Sequence, residues 1–275
     1  MKTIIYYFTG TGNSLAAAKK ITASLGETRL IPIASLADTP APITPAAERV
    51  GIVCPVYDFG LPVMVAGFAE RLDLSQAKYA FAVVTMGGLG VSALHQLDGI
   101  LSERGRGLDA AFAVRMPGNF PPLSRPPGGR KRDEILTAGD MRLGEIVDAI
   151  GRGCTVRPGF EPFSGLMKTL TYGSFVKDVH RSGERFSASD ACTGCGTCAA
   201  VCPVGNIDMA DGRPVWGRRC EGCCACLHFC SAEAIQLDVM FGTEGRGRYR
   251  HPDVTIADME RQRKGTITPP GWNPP

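Results

Sequence analysis

The sequence predicts an α/β protein: a doubly wound five-stranded parallel sheet in its first half, followed by a small cysteine-rich α+β unit. Three observations carry this reading. Short apolar runs alternate with helix-like stretches up to about residue 150, a Thr/Gly-rich turn follows the first run, and the cysteines crowd between Cys192 and Cys230.

The apolar runs at 3–8, 29–33, 50–56, 79–85 and 110–116 are short and rich in Ile, Val, Phe and Tyr, which suits strands buried on both faces. Helix-like stretches occupy 13–25, 61–72, 89–104 and 131–150. Strands alternating with helices build a parallel sheet covered on both sides. Between the second and third runs, Ser35 to Arg49 holds Pro40, Pro42 and Pro45, so its helix is expected to be short or missing. Five strands at this spacing fit a flavodoxin-like sheet at least as well as half of a dinucleotide fold. Pro121 to Gly129 reads as a loop. After Arg157-Pro158-Gly159 the spacing predicts one helix over 163–180, its stripe of Phe163, Leu166, Met167, Leu170, Phe175 and Val176 packing between domains. Beyond 240 the chain turns Gly- and Arg-rich and closes on Pro269-Pro270-Gly271-Trp272-Asn273-Pro274-Pro275, which predicts a draped or partly mobile tail. The expected units are 1–152 (sheet domain), 153–184 (connector with helix), 185–240 (cysteine domain) and 241–275 (tail).

Composition narrows the function. Hydrophobic residues make up 44% and charged residues 21%, which excludes a charged disordered chain. The longest uncharged apolar stretch, around Leu61 to Ala69, falls short of the roughly 20 residues a membrane span needs. Met1-Lys2-Thr3 runs straight into Ile4-Ile5-Tyr6-Tyr7-Phe8 without the pattern of a signal peptide, so a cytoplasmic location is expected. The net charge of +3 coincides with the excess in residues 151–189. No part is basic enough to predict nucleic-acid binding. Cysteines in a reducing compartment read as metal or cluster ligands instead of disulfides.

Cys192-x2-Cys195-x2-Cys198-x3-Cys202-Pro203 is followed by Cys220-x2-Cys223-x2-Cys226-x3-Cys230. This is the bacterial ferredoxin spacing, present twice, in which the fourth cysteine of each run serves the other cluster. It predicts two [4Fe-4S] clusters, the first on Cys192, Cys195, Cys198 and Cys230, the second on Cys220, Cys223, Cys226 and Cys202. Gly194, Gly196 and Gly222 fall where the backbone must wrap closely around the ligands. A zinc site on Cys195, Cys198, Cys220 and Cys223 is the alternative, but it leaves four of the regularly spaced cysteines without a role. Cys54, Cys154 and Cys224 are spare thiols. Ser231 stands where Pro203 stands in the first run, which puts the turn after Cys230 in question.

At the front, Thr9-Gly10-Thr11-Gly12-Asn13-Ser14 links the first strand to a helix, a setting for anion binding. A Walker loop needs a lysine that does not come until Lys19, and a dinucleotide fingerprint needs Gly or Ala where Leu15 stands. A glycine-rich turn without a ligand is the plain alternative. The Thr-x-Thr-Gly-Asn-Ser string resembles the loop that wraps the FMN phosphate in flavodoxins, where neutral hydroxyls replace Lys or Arg. Two further loops follow strand ends: Pro55-Val56-Tyr57-Asp58-Phe59-Gly60, with Tyr57 placed to stack on an isoalloxazine ring and Gly60 allowing close approach, and Thr85-Met86-Gly87-Gly88, whose amides could meet its pyrimidine edge.

Taken together, these motifs make the chain resemble the fused flavodoxin–ferredoxin family of anaerobic bacteria and archaea over nearly its whole length. Met116-Pro117-Gly118-Asn119-Phe120 belongs to the same resemblance, which implies a flavin-site or lid role for Asn119, and Arg248-Tyr249-Arg250-His251-Pro252 looks like that family's tail. The resemblance implies FMN beside two clusters, and an electron carrier working with protein redox partners. The alternatives are an iron–sulfur flavoenzyme that reduces a small molecule or oxygen, and a redox-sensing or assembly partner. No catalytic constellation for a third substrate stands out, and His95, His180, His228 and His251 read as surface or capping residues.

Overall fold

The structure, a computed structural model, describes residues 1–265. The end of the expected tail, from 266 to Pro275, lies outside the described residues. Five strands, β1 (Thr3–Tyr7), β2 (Thr28–Pro32), β3 (Arg49–Pro55), β4 (Tyr79–Met86) and β5 (Ala110–Arg115), form one parallel sheet. Its order is β2-β1-β3-β4-β5, the flavodoxin-like doubly wound arrangement whose switch point lies between β1 and β3. Helices α1 (Asn13–Ser24), α2 (Val63–Ala69), α3 (Val91–Glu103) and α4 (Gly129–Gly151) cover both faces. Between β2 and β3 the proline-rich segment forms only a 3-10 turn at Ile33–Leu36.

Alternation along the strands sorts two cores. Ile4, Tyr6 and Phe8 pack with Val65, Phe68, Leu94 and Leu97 on the α2/α3 side. Ile5 and Tyr7 pack with Leu15, Ala18, Ile21, Leu143 and Ile146 on the α1/α4 side. A strand buried on both faces therefore reads as a continuous apolar run. Gly51 on β3 gives its side-chain space to the Phe81 ring, whose Cε2 and Cε1 would lie 2.7 and 2.8 Å from an added Cβ. Gly51→Val is expected to destabilise the fold by about 1–3 kcal/mol through overpacking, read as a lowered midpoint in denaturant unfolding followed by circular dichroism.

The connector carries α5 (Pro162–Asp178), followed by a 3-10 segment at Val179–Arg185. Glu161, just before α5, accepts the Gly90 and Val91 N–H groups at 2.8 and 2.9 Å and so closes the start of α3. The stripe expected to pack between domains is split. Phe175 packs inward on Tyr57 and Tyr172, whereas Phe163, Leu166 and Leu170 are exposed. The helix lies flat on the sheet domain, so only one side of it finds a partner.

The cysteine-rich region folds as two small antiparallel pairs, β6 (Phe186–Ala188) with β9 (Ile235–Leu237) and β7 (Ile207–Ala210) with β8 (Arg213–Trp216), around α6 (Thr197–Val201) and α7 (Ala225–Phe229). Val201, Ala225 and Phe229 join the α1/α4-side core, and so do Val254 and Met259 from the last segment. That segment is not the draped tail expected from composition. It ends in α8 (Ile256–Lys264), opened by a Thr255/Asp258 capping box and bound to α1 by the Lys19–Asp258 ion pair at 2.9 Å. Among the described residues no helix is long and apolar enough to cross a membrane.

Candidate functional site

Beyond the carboxyl ends of β1, β3 and β4 lies a cavity lined by Thr9, Gly10, Thr11, Asn13, Ser14, Pro55, Val56, Tyr57, Thr85, Met86, Gly87, Pro117 and Asn119. The first turn of α1 faces it. Among the described residues no acceptor takes the Thr11, Asn13 or Ser14 amides, which leaves donors of a helix N-terminus free for an anion. The hydroxyls are held from behind: Gly12 N–H donates to Thr9 Oγ1 at 3.1 Å, Asn119 Nδ2 donates to Thr11 Oγ1, and Ser14 and Thr85 share a hydrogen bond at 2.7 Å. No cation lines the cavity. Amides and neutral hydroxyls at a helix start fit the phosphate of an FMN.

Not every residue singled out from sequence reaches this cavity. Gly12, Gly60 and Gly88 are not among its lining residues. Gly60 faces the ring of Tyr172, which would clash with any added Cβ, and the Tyr172 hydroxyl donates to Leu61 O at 2.7 Å. Thr85 and Pro117, from two of the loops singled out in the sequence, line the cavity as well. Pro117 O accepts from Asn13 Nδ2 at 3.2 Å.

The largest omission is the last segment. Gln262 on α8 is fully buried and grips Thr9 at both backbone groups: Oε1 accepts its N–H at 2.7 Å and Nε2 donates to its O at 3.0 Å. Tyr249 OH donates to Asn13 Oδ1 at 2.7 Å, and His251 N–H donates to Thr11 O at 2.9 Å. Thr255 followed by Asp258 was the one sequence signal of this helix.

The cysteines line two further cavities. Cys192, Cys195, Cys198 and Cys230 surround one, with Met209, Pro214 and Ile235. Cys202, Cys220, Cys223 and Cys226 surround the other, with Cys224, Phe186, Ile207 and Trp216. The fourth cysteine of each run thus stands in the other run's cavity. Cys202 and Cys230 end α6 and α7 with matching backbone angles, φ −70° and ψ 113° against φ −70° and ψ 108°, so Ser231 leaves the turn unchanged. Among the described residues no three His, Cys, Asp or Glu side chains converge as a single metal ion requires. Thiols spread around a cage suit a polynuclear cluster better than tetrahedral zinc.

The two cysteine cavities differ in position. Cys195 is exposed, its thiol pulled down by the Thr197 hydroxyl 3.4 Å away. The second cavity lies inside: burial pushes the Cys223 and Cys226 thiols well up. Cys223 packs against both cores of the sheet domain. Its carbonyl lies so close to Gly10 that a Cβ there would clash with it and would meet Tyr57 Oη at 2.6 Å. Burial also raises Tyr57 far above the usual phenol range, so it stays neutral, its ring edge-on to Phe8 and Phe175 at 6.3 and 6.4 Å. Buried Glu221 accepts the Met64 N–H at 3.1 Å, and burial raises its carboxyl.

Two of the four histidines are not surface residues. His251 is buried. His228, on α7, accepts the Tyr249 N–H at Nδ1 (3.0 Å), which leaves Nε2 to donate to Asn119 O at 2.8 Å; burial lowers it to about 4, so it is neutral. With Asn119 bonded to Thr11, this joins the cysteine region to the 9–14 loop.

Residues 189–208 match the 4Fe-4S binding domain. The 4Fe-4S segment contains Cys192, Cys195, Cys198 and Cys202, and it lies behind a flavodoxin-like sheet. Solved structures similar to this chain include a putative flavoprotein from Bacteroides uniformis ATCC 8492 (18% identity, TM-score 0.32, covering 42% of this chain and 90% of that one). A flavoprotein in complex with FMN from Lactobacillus acidophilus NCFM has 13% identity and a TM-score of 0.34, covering 41% of this chain and 92% of its own. A flavodoxin from the domain Archaea has 14% identity and a TM-score of 0.29, over 54% of this chain and 99% of its own. No curated protein matches the chain.

Proposed function

We propose that the chain is an electron carrier, passing low-potential electrons between a protein redox partner, two [4Fe-4S] clusters and FMN. Bound FMN exchanges electrons singly or in pairs, whereas each cluster carries one. Thr9, Thr11, Ser14 and the first amides of α1 would hold the phosphate, and Tyr57 with the 55–57 and 86–87 backbone the flavin ring. Cys192, Cys195, Cys198 and Cys230 would ligate the outer cluster, and Cys202, Cys220, Cys223 and Cys226 the inner one.

One observation carries the reading: Cys223 belongs to the inner cysteine cavity, and its carbonyl also crowds Gly10, which with Tyr57 stands in the wall of the proposed FMN cavity. The two sites therefore meet at van der Waals contact, while the exposed Cys195 faces outward, where a partner can dock. Fusion in one chain fixes the effective concentration of donor and acceptor.

Anaerobic purification followed by iron, sulfide and flavin analysis tests this: about eight irons and one FMN per chain are expected. Zinc without acid-labile sulfide would sink the cluster reading, and clusters without flavin the FMN reading. Steady-state assays then separate carrier from enzyme. Single-electron exchange with a reduced ferredoxin supports the carrier; sustained turnover of a small oxidant without a protein partner makes it a flavoenzyme.

A further inference from the structure

The inner cysteine cavity has a donor in its wall that the outer one lacks. Trp216, the last residue of β8, lines it beside Cys226. Its ring stacks on Phe186, 5.7 Å between centroids and 16° between planes, which fixes the direction of the indole. The indole N–H is buried and has no acceptor among the described residues. Buried polar groups are almost always partnered, and an indole can only donate. An orphaned N–H in a cavity wall therefore calls for an acceptor inside that cavity. The wall of the outer cavity has Thr193, Thr197, Met209 and Pro214, and no ring donor.

We propose that Trp216 donates its indole N–H to a cysteine sulfur of the inner cluster when that cluster is bound, and so raises its reduction potential. The proposal rests on Cys202, Cys220, Cys223 and Cys226 being cluster ligands. Reduction adds one electron and one negative charge to the cluster. A donor to the thiolate stabilises the more negative, reduced form more than the oxidised one, and the potential rises. Burial acts in the opposite direction, because a low dielectric disfavours added charge. Trp216 offsets that penalty at the cluster nearest the proposed flavin cavity.

Trp216→Phe keeps the stack on Phe186 and removes the N–H. In an anaerobic redox titration of the holoprotein followed by EPR, one cluster signal is expected to move to lower potential and the other to stay. At a fixed potential the reduced fraction of the inner cluster should fall several-fold, with iron and sulfide unchanged. If Phe at 216 prevents loading, β-(3-benzothienyl)alanine there preserves the bicyclic shape without the N–H, and the same shift is expected. Full iron content with both potentials unmoved overturns the role of Trp216. Absence of clusters from the unmodified protein overturns the ligand reading instead.

Discussion

Gln262→Leu should weaken FMN binding by roughly 30- to 1,000-fold while iron and sulfide stay at the level of the unmodified protein. The amide of Gln262 is the partner of both backbone groups of Thr9, at 2.7 and 3.0 Å, and it is fully buried. Leucine fills a similar volume but returns neither hydrogen bond. Each buried backbone group left without a partner costs about 1–3 kcal/mol, and the loop can recover part of this only by moving. Movement of Thr9 misplaces the Thr9–Gly12 hydrogen bond and the amides of Thr11 and Asn13 proposed to hold the phosphate. Quenching of flavin fluorescence on titration of the apoprotein gives the affinity. An unchanged affinity would mean that the loop holds its shape without α8. Gln262→Glu separates the two bonds, because it can still accept from Thr9 N–H but cannot donate to Thr9 O.

Cys220→Ala should remove about four of eight irons and retain both FMN and the outer cluster, yet abolish reduction of FMN by a reduced ferredoxin. Cys220 is buried in the inner cavity and its Sγ already accepts the Gly222 N–H at 3.4 Å. Without that ligand the inner cluster is not expected to be held, and the contact of Cys223 with Gly10 no longer connects the outer cluster to the flavin. Cys195→Ala is the companion: it should cost the outer cluster and leave the inner one and the flavin bound. Stopped-flow mixing with reduced ferredoxin reads the order. If the Cys220→Ala protein still passes electrons to FMN at the original rate, the inner cluster is not on the route.

The parts legible in the sequence are those fixed by local pattern. The five strands are continuous apolar runs because helices cover both faces. The cysteine runs and the 9–14 string encode their geometry in spacing within a few residues. What could not be read depends on contacts between distant segments. Nothing near Gln262 in sequence signals that it pairs with Thr9, 253 positions away. Gly60 reads as room for a flavin, whereas the ring of Tyr172 from the connector occupies the space. The apolar stripe of α5 has the right period, but periodicity does not reveal that Phe175 finds Tyr57 while Phe163, Leu166 and Leu170 find only solvent. His228 looks like any histidine until Asn119 and Tyr249 are brought to its two nitrogens.

The grip of α8 on Thr9 also sets an order of biosynthesis. Thr9 leaves the ribosome well before Tyr249, His251 and Gln262. The sheet can form early in translation, but the 9–14 loop acquires its final shape only after the cysteine-rich region has been made and folded against α1. In the proposed carrier, flavin loading would thereby wait until α8 has been made and docked. A chain truncated before Gln262 would leave the cavity at Thr9 unfinished, and so would not become a reduced flavoprotein lacking the centres that carry its electrons away.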